Sequence, residues 1–417
     1  MANHAVTGKS GLTRGAAAYG LGLMTLLNFV NYIDRYVLPA VAPRIKEELS
    51  LTDTQLGFLG SAFLFSYFIA SPLFGWMGDR LSRTRLMAVG VATWSLATAG
   101  GGLARNFLQM AFARGAVGVG EASYAAISPA LISDYYPPDR RGRVFAVFYL
   151  AIPVGSAVGY LLGGLLESHF GWRTAFFAVG LPGLLLALLT LSAPDPPRGI
   201  NDAPEASLEH PGSYWQTLGL LARNRDYVMA VLGYAAYTFA VGGMSFWVPI
   251  YLNRERAMAL DEANYMVGAI TVVAGIGGTF LGGYLADVLA PRIRQAHLYV
   301  SGVSMVLAIP FAWVAFSSGD RTIAMAALLG AEFMVFLSTG PINVVLVSVV
   351  PVAIRATAMA VSIFFIHLLG DAAAPIVIGA VSDRVGLSRA VLIMPVVVGV
   401  SAVIWLFAAA KPAGRRY

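Results

Sequence analysis

The sequence predicts an all-α integral membrane protein: twelve transmembrane helices in two six-helix bundles, assembled from inverted three-helix repeats. Three observations carry that expectation. Of 417 residues, 58% are hydrophobic and only 12% charged, whereas a soluble domain carries roughly 25% charged residues. Apolar runs of about the 20 residues needed to cross a bilayer occur six times on each side of one polar gap. A Gly-x-x-x-acid element closes the middle helix of every three-helix unit.

A polar tail over 1–15, without a signal-peptide pattern, precedes the first bundle at 16–192. Its spans fall near 16–40, 55–78, 85–104, 107–135, 143–167 and 173–192. The gap at 193–225 holds Pro194, Asp195, Pro196, Pro197, Asp202, Glu205 and Glu209 and reads as a linker. Spans resume in a second bundle, 226–410, near 226–252, 262–288, 294–316, 321–350, 352–382 and 388–410, before a tail at 411–417. Ser338-Thr-Gly-Pro341-Ile-Asn343 breaks the tenth span, and Pro129, Pro153, Pro249 and Pro375 interrupt others. Broken membrane helices persist where they line a cavity or where neighbours satisfy the freed backbone.

The net charge of +6 reads as basic loops on one membrane face rather than as a nucleic-acid surface. Arg80, Arg83, Arg85, Arg140, Arg141, Arg143, Arg292, Arg294, Lys411, Arg415 and Arg416 fall on the face that also holds the termini, which makes that face cytoplasmic. The chain has no cysteine, which excludes disulfides and thiolate metal sites. No phosphate-binding loop, zinc-protease motif or nucleophile elbow occurs, so no enzyme, cofactor or metal is expected. Without an ATP-binding segment, uphill movement of a cargo must draw on an ion gradient or on exchange.

The repeat element takes the forms Gly75…Asp79-Arg80, Gly163…Glu167, Gly283…Asp287 and Gly379…Asp383. It lies inside in the first and third units and outside in the second and fourth, the mark of nested inverted repeats. Gly155, Gly159 and Gly163 form one face of the fifth span, and Gly278 and Gly282 one face of the eighth. Such small residues let backbones touch where no hydrophobic force drives helices together.

The candidate site begins with Asn28-Phe-Val-Asn-Tyr32-Ile-Asp34-Arg35-Tyr36. A charge at mid-membrane costs about 2.5–3.5 kcal/mol on insertion scales, and adjacent helix residues do not face each other. Asp34 and Arg35 therefore each need a partner, and Arg114 and Glu121 in the fourth span supply the matching signs. Burial and a nearby cation pull a carboxyl's proton affinity in opposite directions, so Glu121 can titrate at working pH; a permanent structural ion pair is the alternative. Arg35 and Arg114 offer the donor fork that suits a phosphate or carboxylate. Glu332, His367 and Asp371 are the polar candidates in the second half, and Tyr32, Tyr124, Tyr237, Phe239, Phe246 and Trp247 could wall an amphipathic cavity or simply pack.

The stretch Gly75-x-x-x-Asp79-Arg80-x-Ser82-Arg83-x-Arg85 resembles the signature loop of the major facilitator superfamily. Arg114-x-x-x-Gly118-x-Gly120 resembles its helix-4 motif, and the fifth-span glycines its helix-5 motif, with Tyr160 where that motif carries proline. Asn31-Tyr-Ile-Asp-Arg35, Gly120-Glu-Ala-Ser-Tyr124, Phe239 through Pro249, and His367-Leu-Leu-Gly-Asp371 with Pro375 together resemble the Spinster family. Animal members of that family export sphingosine-1-phosphate or move lysophospholipids.

The resemblance implies a monomeric secondary transporter of a bacterial inner membrane, working by alternating access with protons as the coupling ion. Its expected cargo is an amphipathic anion of the lysophospholipid type; a drug or small organic anion is the alternative. Asp34, Arg35 and Glu121 would couple protons, and Arg35, Arg114, Tyr32, Tyr124, Tyr237, Trp247, His367 and Asp371 would bind substrate. Gly75, Asp79, Arg80, Arg83, Arg140, Arg141 and Asp287 would form a cytoplasmic gate.

Overall fold

The computed structural model describes residues 12–78, 80–198, 200, 214–351 and 354–410. They form helices α1 (Arg14–Leu49), α2 (Asp53–Gly78), α3 (Arg83–Gly101), α4 (Phe107–Tyr135), α5 (Pro138–Phe170), α6 (Trp172–Thr190), α7 (Tyr214–Arg223) and α8 (Arg225–Arg256). After these come α9 (Leu260–Leu289), α10 (Ala296–Ser317), α11 (Arg321–Phe336), α12 (Thr339–Ser348) and α13 (Arg355–Ile366). A single π turn at His367–Asp371, then α14 (Ala374–Val385), α15 (Leu387–Ala390) and α16 (Ile393–Ala410) complete the chain.

Polar caps set the starts of these helices. Asn106 accepts from the Gln109 N–H, Asn224 from the Tyr227 N–H and Asp320 from the Ile323 N–H, at 3.0, 3.1 and 2.9 Å. Each bond satisfies a backbone donor left over at a helix N-terminus. Gly171, between α5 and α6, and Gly386, between α14 and α15, have φ of 81° and 87°. Both follow the acid of a repeat element, so equivalent units turn on the same residue type in a conformation that excludes most side chains.

The spans expected at 321–350 and 352–382 are each broken. The first splits into α11 and α12 at Leu337 and Ser338, and the second at the π turn, where Gly370 leaves helical geometry (φ −99°, ψ −108°). The linker is not wholly irregular: α7 lies within it, with Thr217 and Leu221 buried and Trp215 exposed. That ten-residue helix is too short and too one-sided for a search for membrane-length runs to detect.

The chain divides into two compact units. One comprises Met1–Leu51, Ala62–Ala206 and Ala259–Tyr265; the other comprises Thr52–Ser61, Ser207–Met258 and Met266–Tyr417. The first core gathers Met24, Leu27, Val91, Trp94, Val117, Leu131 and Tyr135. The second gathers Tyr227, Tyr237, Met305, Val398 and Trp405. Large apolar side chains such as Ile69, Phe112 and Phe280 point outward, which is costly in water and favourable in lipid. Ten helical stretches among the described residues are long and apolar enough to cross a membrane, so this is an integral membrane protein.

Close packing in the first unit comes from the α5 glycines. A methyl group at Gly155 would lie 2.7 Å from the Phe29 carbonyl oxygen, and one at Gly159 would lie 2.7 Å from that of Ile33. The bare face of α5 thus presses against the turns of α1 on either side of Asp34.

Candidate functional site

Four helices of the first unit bring the charged residues together. Asp34 and Arg35 stand about 100° apart around α1 and engage different partners. The Arg35 Nε–H donates to Glu121 Oε2 at 2.8 Å, with Glu121 fully buried and Arg35 19% exposed. The Arg35 guanidinium carbon also lies 4.9, 4.9 and 5.0 Å from the ring centres of Tyr32, Phe63 and Tyr67. Desolvated cation–π contacts of this kind contribute roughly 2 kcal/mol. One face of the guanidinium fork is therefore held by a carboxylate while aromatic rings enclose the rest.

Asp34 is turned the other way. Its Oδ2 accepts from the Thr98 hydroxyl on α3, and its Oδ1 is 3.9 Å from Arg114 Nη1, attractive but too long for a hydrogen bond. Arg114 is only 3% exposed, and among the described residues its Nε and Nη1 have no hydrogen-bond acceptor, nor has Asp34 Oδ1 a donor. Leaving buried donors unsatisfied costs about 1–3 kcal/mol per group. These donors are thus free for an anion or for water. Arg114 and Glu121 are seven residues apart, two turns along one face of α4, which is why one helix serves both members of α1.

Other residues around this set pack rather than project. Tyr124 donates its hydroxyl to the Met24 carbonyl at 2.8 Å and sets its ring edge-on to Trp94. Asn28 donates to the Phe148 carbonyl at 3.0 Å. Gly118 lets α4 approach the α2 backbone, where a methyl group would lie 2.2 Å from the Phe63 carbonyl oxygen. That approach brings Phe63 under both arginines, since Arg114 also stacks on its ring at 5.2 Å.

In the second unit, the remaining sequence candidates form two smaller groups. His367 Nδ1 is 3.0 Å from both oxygens of Asp371, across the π turn. A methyl group at Gly242 would lie 2.6 Å from the Asp371 Cβ, so α8 passes directly over that turn. Tyr237 shares a 2.7 Å hydrogen bond with Thr339, and Trp247 donates to the Pro375 carbonyl at 3.1 Å. The indole thus satisfies a carbonyl at the start of α14, next to the break.

At the α2–α3 end, Arg83 is nearly fully buried. It donates to Asp134 of α4, to Asp195 at 2.8 Å and to the Pro196 carbonyl. Burial works against its charge, but the bonds to Asp134 and Asp195 outweigh it and raise the guanidinium above its ordinary range. Tyr135 donates to the Pro194 carbonyl at 2.6 Å, and Arg198 reaches the Gly78 and Leu81 carbonyls at 2.8 and 2.7 Å. The first residues of the linker are strapped to this end. Arg80 is exposed and lies over Trp76, 4.4 Å from its ring centre. Gly75 has open space beside it; Arg140 is exposed, and Asp287 is exposed 3.6 Å from His297. Asp79 and the side chain of Arg141 lie outside the described residues.

Several neighbours of the charged set escape a reading of the sequence. Thr98, Phe63 and Tyr67 contact the charged set without any motif; the four-residue spacing of Phe63 and Tyr67 on α2 is their only sign. A second group surrounds Asp53, which is buried at the start of α2. Arg254 donates to its Oδ1 at 2.7 Å and Ser382 to its Oδ2 at 2.5 Å. Asp383, the acid of the fourth repeat element, accepts from the Asp53 and Thr54 N–H groups, both at 2.8 Å. The corresponding acid of the second unit of the repeat, Glu167, accepts from Arg44 at 2.9 Å.

A model of the Major Facilitator Superfamily matches residues 24–370. Over 380 residues the chain is 35% identical to Protein spinster homolog 3 of Danio rerio, covering 87% of this chain and 76% of that one. The chain belongs to the Spinster family. Protein spinster homolog 1 of Homo sapiens is 33% identical over 90% of this chain and 75% of its own length. The sphingosine-1-phosphate transporter SPNS2 of Danio rerio is likewise 33% identical, over 87% of this chain and 75% of its own. A crystal structure of a bacterial homolog of the human lysosomal transporter Spinster, inward-facing and unoccupied, superposes with a TM-score of 0.87 at 24% identity, over 95% and 98% of the two chains. Membership makes this Spinster chain a transporter of the major facilitator fold and not an enzyme.

Proposed function

We propose that the protein moves an amphipathic anion of the lysophospholipid or sphingosine-1-phosphate type by alternating access, coupled to protons. The observation that carries this reading is the presence of two arginines inside the first unit, Arg35 half-buried and Arg114 buried, with unequal satisfaction. Arg35 is bound to Glu121, whereas Arg114 keeps two donors free. A proton on Glu121 neutralises its carboxylate and releases the Arg35 fork. An anionic headgroup then competes for Arg35 and Arg114, and its departure restores the Arg35–Glu121 pair. Exchange of one partner for the other couples the proton to the cargo without any covalent step. The aromatic rings around Arg35 suit the junction between a headgroup and an apolar tail. The similarity to SPNS2, a sphingosine-1-phosphate transporter, supports a lipid cargo.

In this reading the α2–α3 end, with Arg83, Asp134 and the strapped linker, is a cytoplasmic gate. The termini face the cytoplasm of a bacterial cell, and one chain suffices as the working unit. A small organic anion is the second reading, because the same two arginines would hold its carboxylate.

The test is reconstitution in liposomes with an internal pH dye, using sphingosine-1-phosphate, lysophospholipids and small organic anions as probes. Wild type is compared with Glu121→Gln and Arg35→Ala. Probe-dependent proton movement lost in both variants is the expected result. Probe movement that is unaffected by Glu121→Gln would refute the coupling, and no movement of any lipid probe would refute the cargo class.

A further inference from the structure

A second carboxyl, in the other unit, has no part in this scheme. Glu332 is buried (4% exposed) near the middle of the membrane-length stretch Arg321–Leu346. Eleven residues of helix separate it from Arg321, about 17 Å at 1.5 Å per residue, or roughly half of a 30 Å hydrocarbon layer. Its environment differs from that of Glu121: among the described residues no cation is paired with it. Its one hydrogen bond among them comes from the Thr271 hydroxyl of α9, which donates to Oε2 at 3.1 Å.

The elements packed around it are α9 and α10. Gly277 and Gly278 of α9 lie against Phe333, and Gly330 lies against Phe311 of α10. The titratable groups on these helices are Asp261, Glu262, Tyr265, Tyr284 and Asp287 of α9, His297 and Tyr299 of α10, and Arg321 of α11 itself. None forms an ion pair or hydrogen bond with Glu332 among the described residues.

An ionised carboxylate in such a place would carry the full desolvation penalty of a charge with one neutral donor to offset it. A carboxyl group that binds a proton there avoids the penalty and keeps the Thr271 bond. We propose that Glu332 is a proton-binding site of the second unit, distinct from the Arg35–Glu121 pair. Thr271 donates to the carbonyl oxygen Oε2, and the bound proton sits on Oε1. Among the described residues no group of three or more His, Cys, Asp or Glu side chains could hold a metal ion, and the proposed ligand is a proton. The assignment stands independently of the role given to Glu121.

Infrared spectroscopy of the purified full-length protein in lipid nanodiscs reads the site directly, through the C=O stretch of a protonated carboxyl. Spectra are compared for wild type, Glu332→Gln, Thr271→Val and Glu121→Gln at neutral pH. The expected result is a slowly deuterating carboxylic-acid band that disappears in Glu332→Gln, persists in Glu121→Gln and moves to higher frequency in Thr271→Val, where the hydrogen bond is lost. If Glu332→Gln does not fold, the Thr271→Val shift decides alone, because that variant retains the carboxyl. A Glu332→Gln spectrum superimposable on wild type in this region, or a band unmoved by Thr271→Val, overturns the proposal. A failure of the Glu121 scheme would show instead as unaltered transport by Glu121→Gln, with the Glu332 band still present.

Discussion

Replacing Gly159 with alanine adds one methyl group where α5 crosses α1. That methyl would sit 2.7 Å from the Ile33 carbonyl oxygen and 2.9 Å from the Tyr36 Cβ. Non-bonded heavy atoms rest at about 3.5 Å or more, so the helices must separate by roughly 0.8 Å. Neither obstacle is the end of a flexible side chain, so the strain falls on the backbone. Overpacking of this kind costs about 1–3 kcal/mol. For a unit of this size, each kcal/mol shifts Tm by about 2–4 °C, so a fall of roughly 4–8 °C is expected for the middle of that range. The assay is an apparent melting curve in detergent, read by the monodisperse peak in size-exclusion chromatography. Gly22→Ala and Gly275→Ala are matched controls, because a methyl group at either position meets no atom within 4 Å. Both should leave Tm unchanged or slightly raised, since alanine is the better helix former. A Gly159→Ala protein that melts with the wild type, or controls that fall as far as it does, would refute the close-packing argument. Because Asp34 follows Ile33, Gly159→Ala should also lower transport in the folded fraction.

Arg83→Met removes the cation that bridges Asp134 and Asp195, and breaking a buried pair this way costs about 3–5 kcal/mol; the Arg83→Met/Asp134→Asn double variant should recover part of that loss in the same melting assay. Thr98→Val removes the donor to Asp34 and should destabilise by about 1–3 kcal/mol, with a larger fall in transport than in Tm. Asp383→Ala uncaps the first turn of α2 at a cost of about 1 kcal/mol, seen as faster hydrogen exchange at the Asp53 and Thr54 amides and not elsewhere. Arg114→Lys keeps the charge and loses the fork, so binding of an anionic lysolipid probe, followed by calorimetry, should weaken by about tenfold or more.

Much of the fold is legible in the sequence because the membrane imposes a coarse rule: every backbone polar group needs a partner within a helix of fixed length. The charged set was legible for the same reason, since Asp34, Arg35, Arg114 and Glu121 stand out in apolar runs. What stays hidden is whatever membrane context does not penalise. Thr98, Phe63 and Tyr67 are ordinary residues of membrane helices, and only the approach of α2, α3 and α4 to α1 gives them a role. The α7 helix leaves no clear mark in the sequence because its ten residues are neither long nor uniformly apolar. Arg83 illustrates the intermediate case: the motif identifies the residue, but its partners Asp134 and Asp195 follow only from the way the linker folds back.

The bonds from Asp383 to the first turn of α2 have a consequence for how the chain is made. The donor and acceptor are 330 residues apart. At about 5–20 residues per second, the ribosome needs roughly 15–65 s to travel between them. During that interval the α2 N-terminus exists without its cap and Asp53 without Ser382, while Arg254, 201 residues on, is made part-way through. Two short stretches, Thr52–Ser61 and Ala259–Tyr265, are each claimed by the unit built mainly from the other half of the chain. Neither unit is therefore encoded by one uninterrupted half of the chain.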